Sequence, residues 1–192
     1  MVHRVQRLLL QVWRRVPRLV RRWIVRLAAP SFTVGAACVV EREDGAILLV
    51  RLVYRNGWGL PGGLIKRNED VADCARREVR EEIGLAVELT SAPAVVVDSR
   101  PQRIDVVFRA RPADGVDPAT VHPRSAEIRE VRWFEPDDLP GLQHETVSAL
   151  GALASSVGHG AGLATLQRAA MAARTQAGDR DDGAGGRSAA VS

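Results

Sequence analysis

Cysteine, lysine, aromatic residues and long apolar runs are all scarce in this chain, and each scarcity narrows what the protein can be. Only Cys38 and Cys74 occur among 192 residues, and they have no CxxC spacing. That argues against a disulfide framework or a zinc site and suits a reducing, cytoplasmic compartment. His3, His122, His144 and His159 form no set at ligand spacing. No apolar stretch approaches the roughly 20 residues that a membrane-spanning helix needs. A secretory signal would require an uninterrupted apolar stretch and a small-residue cleavage site, and neither stands out. Lys66 is the only lysine, so the positive charge is almost entirely arginine.

What is present is the profile of a globular domain, 46% hydrophobic and 26% charged, long enough for one domain of ordinary size with tails to spare. The charge is unevenly placed. Residues 1–30 hold eight arginines and no acid, so they carry +8 against +4 for the whole chain, leaving −4 for residues 31–192. The basicity belongs to one segment, and a mildly acidic domain argues against a large nucleic-acid footprint.

Residues 1–30 are expected to form a basic amphipathic helical extension. Turned through 100° per residue, Val5, Leu9, Val12, Val16, Leu19, Val20, Trp23 and Leu27 gather on one side, opposite Arg4, Arg7, Arg14, Arg18, Arg22 and Arg26. Pro17 should kink or split that helix. Three readings of the segment stay open: peripheral contact with a membrane surface, packing on the domain or on a second copy through residues 2–28, and an arginine-rich targeting peptide. The first would put a cytoplasmic protein at the inner membrane surface.

From Phe32 the pattern changes. Thr33 to Val40 reads as a strand, Glu43–Gly45 as a turn and Ala46 to Val53 as a second strand, which together predict a hairpin. Asn56 to Gly63 is too rich in glycine for a helix or a long strand. A helix is expected from about Glu69 to Ile83, stopped at Gly84. Strands follow at Val87–Leu89, Ala94–Val97, Ile104–Ala110 and Ile128–Phe134, with turns at Pro101 and around residues 113–118. A second helix is expected over His144–Leu153 and a weak one over Leu163–Arg174. Residues 175–192 lack the apolar content to fold alone. The organisation expected is an extension over 1–30, a domain over 31–155, and a weakly helical, then disordered, tail over 156–192.

The chemistry lies in residues 63–85. On a helix, Glu78 is three residues from Glu81 and four from Glu82, so the three carboxylates share a face, flanked by Glu69 and Arg77. An arbitrary E-x-x-E-E is usually a solvated charged face paired to arginines. The alternative is a site for hard divalent cations, which take oxygen ligands. The wider pattern favours the second. Gly63, Glu69, Arg77, Glu78, Val79, Glu81, Glu82, Gly84 and Leu85 meet every defined position of G-x5-E-x7-R-E-U-x-E-E-x-G-U, where U is bulky and aliphatic. This segment resembles the Nudix box. The run Trp58–Gly63, and Trp133-Phe134 followed by Asp137-Asp138-Leu139-Pro140, extend the resemblance over about residues 32–153.

The resemblance implies an α/β fold, a Nudix-type α/β/α sandwich with a mixed β-sheet, and a pyrophosphohydrolase. Such an enzyme cleaves the diphosphate of a nucleoside diphosphate linked to another group: a (d)NTP, ADP-ribose, a dinucleoside polyphosphate or a nucleotide sugar. Its partner would be a small-molecule nucleotide and its cofactor Mg2+ or Mn2+. By position, Glu78 and Glu82 would be the principal metal ligands, Glu81 a third ligand and the leading candidate for the base, and the Gly62 carbonyl a further ligand. Arg77 and Glu69 would order the loop. Arg51 and Gly63 match substrate-binding positions, although Arg51 reads equally well as a surface arginine. Glu127 sits where some members place an additional glutamate. Trp58 is expected to pack the loop. Two positions depart from common family usage: Asn68 stands where glycine is frequent, and Lys66 where an acid is. A non-catalytic nucleotide sensor on the same fold is the alternative, and such modules usually lose box glutamates that this chain keeps.

Overall fold

Along Thr33–Val40 (β1) the side chains alternate between two separate cores. Ala36, Cys38 and Val40 enter one, and Val39 the other. The same period of two runs along Ile47–Leu52 (β2), where Ile47 and Leu49 lie on one side and Leu48 and Val50 on the other. Strands apolar on both faces need cover on both faces, and the chain supplies a helical layer on each side. The computed structural model describes residues 16–18, 20–21, 31–156, 165, 167–173 and 175.

The remaining elements are Gly62–Leu64 (β3), Val71–Ile83 (α1), Val87–Leu89 (β4), Ala94–Asp98 (β5), Arg103–Pro112 (β6), Ile128–Phe134 (β7) and His144–Ser156 (α2), with a 3-10 turn at Pro118–Thr120. β1 lies at the centre, parallel to β6 over eight residues and antiparallel to β3. β4 and β5 both pair antiparallel with β6, at opposite ends of its length. The sheet is therefore mixed. α1 covers the face lined by Cys38, Val40 and Phe108, and α2 covers the face lined by Val39 and Val107. Residues 165, 167–173 and 175 are helical, and Ala169, Ala170 and Ala173 are buried in the α2-side core. The result is an α/β/α sandwich.

The hairpin expected between β1 and β2 does not form. A single bridge, Glu41 to Ile47, joins the two runs, and β2 instead pairs antiparallel with β7 as a separate two-stranded ribbon. The reason is edge occupancy. Both hydrogen-bonding edges of β1 are taken, by β3 and by β6, so β2 must satisfy its backbone elsewhere. Alternation and turn residues predict two strands and a reversal, but they carry no information about which edges are free.

α1 begins two residues later than expected. Asp70 is the N-cap, its side chain accepting the Ala72 amide at 2.8 Å, and Glu69 stays in the loop. Gly84 ends the helix in the left-handed region at φ 75°, its amide donating to the Arg80 carbonyl. The buried face is Cys74, Ala75, Val79 and Ile83. Burying Val79 and Ile83 is worth about 1.5–3 kcal/mol each. Like-charge pairs at helical spacing cost about 0.2–0.5 kcal/mol each. Packing therefore outweighs the repulsion among the glutamates on the opposite face.

Of residues 1–30, only 16–18 and 20–21 are described; residues 18, 20 and 21 are helical, and the Arg21 amide donates to the Pro17 carbonyl. The rest of the expected N-terminal helix, and the tail beyond residue 175, lie outside the described residues. Among the described residues no helix is long and apolar enough to cross a membrane.

Candidate active site

The loop from β3 to α1 is built around Arg77. Its Nε and Nη2 donate to the two oxygens of Glu69 at 2.6 and 2.9 Å, and Nη2 also reaches the Leu64 carbonyl at 3.3 Å. Its Nη1 donates to Glu78 at 2.6 Å and to Glu81 at 3.0 Å. One guanidinium thus ties the loop to three glutamates, which a lysine's single ammonium could not do with the same geometry. Glu69 closes the loop from the other side by accepting the Lys66 amide at 2.8 Å. The turn between them needs a left-handed residue, and Asn68 takes that conformation at φ 63°. Side-chain hydrogen bonds from Arg77, and then the Lys66 amide, lower the Glu69 carboxyl to about 2. The Arg77 guanidinium is raised by the same partnership.

Glu82 is treated in the opposite way. Its Oε2 accepts the Gly62 amide at 3.0 Å. Burial raises its carboxyl to about 8, the Gly62 hydrogen bond opposes that rise, and the charges of Glu78 and Glu127 add to it. The glycines of β3 permit this crowding. A Cβ on Gly63 would stand 2.5 Å from the Glu78 carboxyl, and one on Gly62 would stand 2.4 Å from the Ala36 carbonyl. Both glycines are required by close approach.

The structure brings Glu69, Arg77, Glu78 and Glu81 together through Arg77, and Glu82 to the Gly62–Gly63 strand. The Gly62 group in contact with Glu82 is its amide. Glu81 is the most exposed of the helix glutamates, 54% by side chain, and is shared between Arg77 and Lys66, whose Nζ lies 3.5 Å away. The lone lysine therefore faces the acid cluster. Arg51 stands apart: it pairs across from Glu130 at the end of β2 and makes no ion pair among the described residues. Trp58 is buried in the α2-side core, edge-on to Phe134 with 4.8 Å between ring centroids, and so packs the loop. Cys38 and Cys74 are free and buried, and burial pushes their thiols up to about 12 and about 11, far from nucleophilic use at neutral pH.

The segment before β7 that carries Glu127 runs beside the end of α1, the Arg124 amide donating to the Glu82 carbonyl at 2.8 Å, and the charge of Glu127 contributes to the rise at Glu82. Its Oε2 accepts the Tyr54 hydroxyl at 3.1 Å. Tyr54 was not legible from sequence. It follows β2 in a polar turn, its partner is 73 residues away, and no motif marks it.

Whether these residues suit a divalent cation can be judged from the donors. Among the described residues no three acidic, histidine or cysteine side chains are already drawn to one point. Glu78 is turned onto Arg77 and Glu127 onto Tyr54. The set is nonetheless all oxygen, and in Glu82 it holds a half-buried carboxylate on which the charges of Glu78 and Glu127 act. A hard cation would relieve that crowding, so the residues fit Mg2+ or Mn2+.

Fold and site together define a class: an α/β/α sandwich with a carboxylate cluster on one helix and the glycine strand that leads into it. The chain belongs to the NUDIX domain family, whose model matches residues 31–152, and it is a Nudix hydrolase. A MutT-like protein of Streptomyces ambofaciens is 34% identical over 110 residues, 57% of this chain and 68% of the relative. The human 8-oxo-dGDP phosphatase NUDT18 is 30% identical over 118 residues, 60% of this chain but only 36% of that protein. Among solved structures, a MutT NUDIX hydrolase from Burkholderia pseudomallei superposes with a TM-score of 0.54 at 29% identity, covering 65% of this chain and 99% of that one. An ADP-ribose pyrophosphatase from Streptococcus suis gives 0.54 at 27% identity, covering 68% and 96%.

Proposed function

We propose that this chain hydrolyses the diphosphate bond of a small nucleoside diphosphate derivative with Mg2+ or Mn2+ as its cation. The observation that carries the proposal is Glu82: a half-buried carboxylate held by the Gly62 amide, with the charges of Glu78 and Glu127 acting on it. Left without a cation, that group costs the fold stability, because burial and two like charges all oppose its ionisation. Relatives named for 8-oxo-dGDP, nucleoside triphosphates and ADP-ribose support the substrate class.

In this reading Glu78 and Glu82 hold the cation. Glu127 is taken over Glu81 as the third acid and proton acceptor, because the exposed Glu81 is shared by two cations, Arg77 and Lys66, whereas the partner of Glu127 is the neutral Tyr54 hydroxyl. When bound, the cation supplies charge neutralisation at the diphosphate oxygens. Arg77 and Glu69 hold the loop so that the Gly62 amide and Glu82 keep their register, a supporting role. The Gly63 main chain borders the diphosphate, Arg51 contributes charge to substrate from the end of β2, and Glu127 accepts the proton lost by the attacking water.

The test is product release from a panel of (d)NTPs, ADP-ribose, dinucleoside polyphosphates and nucleotide sugars, with Mg2+, Mn2+ or EDTA. Glu82→Gln should lower cation-dependent turnover about a thousandfold, equivalent to roughly 4 kcal/mol of transition-state stabilisation. Turnover undiminished by EDTA or by Glu82→Gln would overturn the proposal.

A further inference from the structure

Glu127 lies in a connecting segment, not on a helix or strand, and that segment runs beside the end of α1, where the Arg124 amide donates to the Glu82 carbonyl at 2.8 Å. Glu127 is exposed, so packing does not fix its side chain and hydrogen bonds must. Two bonds do. The Val53 amide donates to the Glu127 carbonyl at 2.9 Å, and the Tyr54 hydroxyl donates to Glu127 Oε2 at 3.1 Å. The β2–β7 register shifts between Arg51 and Leu52, and Leu52 then pairs with Ile128. Val53 and Tyr54 thereby come level with Glu127.

Tyr54 is not there for its ring. Its side chain is among the most exposed large apolar groups of the described residues, at 63%, so it adds little to any core. Its hydroxyl is also near enough to Glu82 for that charge to act on it. Tyr54 is thus joined to Glu127, whose segment borders the end of α1 that carries Glu82. The donor's chemistry matters too. A phenol is neutral, so it fixes one carboxylate oxygen without cancelling the charge, as an arginine in its place would.

We propose that Tyr54 is the positioning residue for Glu127, its hydroxyl holding one carboxylate oxygen and leaving the other available to the acid cluster beside Glu82. This rests on the reading above in which Glu127 is the third acid of the cation site. Tyr54 acts through Glu127 and takes no proton itself.

The test compares Tyr54→Phe, Glu127→Gln and the double variant by Mn2+ binding, followed through the electron paramagnetic resonance signal of free Mn2+. Steady-state turnover is measured on the same proteins. The exposed ring is kept in Tyr54→Phe, and circular dichroism and thermal melting check that all three variants fold. Tyr54→Phe should weaken Mn2+ binding about tenfold, the lower end of what outer-shell changes cost. It should lower kcat by a similar factor and leave KM within about twofold. The double variant should match Glu127→Gln alone, because a group acting only through Glu127 has nothing left to position. Native Mn2+ affinity in Tyr54→Phe while Glu127→Gln is impaired would overturn the role of Tyr54 alone. So would additive losses in the double variant, or a raised KM with kcat unchanged. Native affinity in Glu127→Gln would remove Glu127 from the cation site, and the proposal with it.

Discussion

Glu69 and Glu82 belong to one segment and one motif, yet their surroundings drive them in opposite directions. At the start of the segment, Glu69 accepts two hydrogen bonds from Arg77 and one from the Lys66 amide, and its carboxyl falls to about 2. Near the end of α1, Glu82 is half-buried with the Gly62 amide as its hydrogen-bond partner, and its carboxyl rises to about 8. The first environment is completed by the protein. In the second, burial and nearby negative charge oppose ionisation, so the group is balanced by a proton or by a bound cation. The two glutamates are thus told apart by their partners, since at the level of residue type they are identical.

The sharpest way to break this contrast is to neutralise each carboxyl in turn. Glu82→Gln is expected to cost the thousandfold already stated, whereas Glu69→Gln should lower turnover only about ten- to a hundredfold, through loosening of the loop. Equal losses would mean that the two ends do the same work. Next in size is Gly63→Ala. The added methyl would stand 2.5 Å from the Glu78 carboxyl and force it aside, so turnover should drop about a hundredfold with the fold retained. Circular dichroism beside the activity assay checks this, and an active Gly63→Ala protein would show that Glu78 need not approach β3.

The remaining effects are thermal and depend on pH. Glu82's folded value of about 8 lies above its ordinary 4.5, so the folded state holds the extra proton in that interval. The metal-free domain should therefore lose stability as pH rises from about 4.5 through about 8. Melting in EDTA between pH 5 and 9 should show this decline in the native chain and a flatter profile in Glu82→Gln, and Mn2+ should restore stability at the alkaline end. Glu69 has the opposite sign. Its folded value of about 2 lies below 4.5, so its contribution is present above about 4.5 and is lost as pH falls toward 2. The acid limb of the melting profile should be shallower in Glu69→Gln. This is the smallest of the effects, and an unchanged acid limb would show that the Arg77–Glu69 pairing adds nothing to stability.

Much of the helix side of the site could be read in advance because it is local. The three- and four-residue spacings put Glu78, Glu81 and Glu82 on one face, Gly84 stops the helix, and Asn68 accepts the left-handed turn, all through interactions that reach only a few residues along the chain. The same reasoning placed β4 and β7 at their observed bounds. It failed where a partner is distant. The start of α1 was read at Glu69 because glutamate suits a helix, but Arg77 and the Lys66 amide claim its carboxyl, and Asp70 caps the helix instead. The β1–β2 hairpin was read from alternation and a turn, but β3 and β6 occupy both edges of β1.

By itself, then, the amino-acid sequence determined the family, the reaction class and the acid-bearing helix, because those depend on residue types at short, regular separations. Tertiary structure decided that Glu82 is the half-buried carboxylate held by Gly62, that Glu81 is diverted to Lys66 and Arg77, and that Tyr54 meets Glu127 across 73 residues. Burial and long-range charge are properties of the assembled layers. They depend on which strands share an edge and how closely β3 approaches α1, and no window of the chain contains that information.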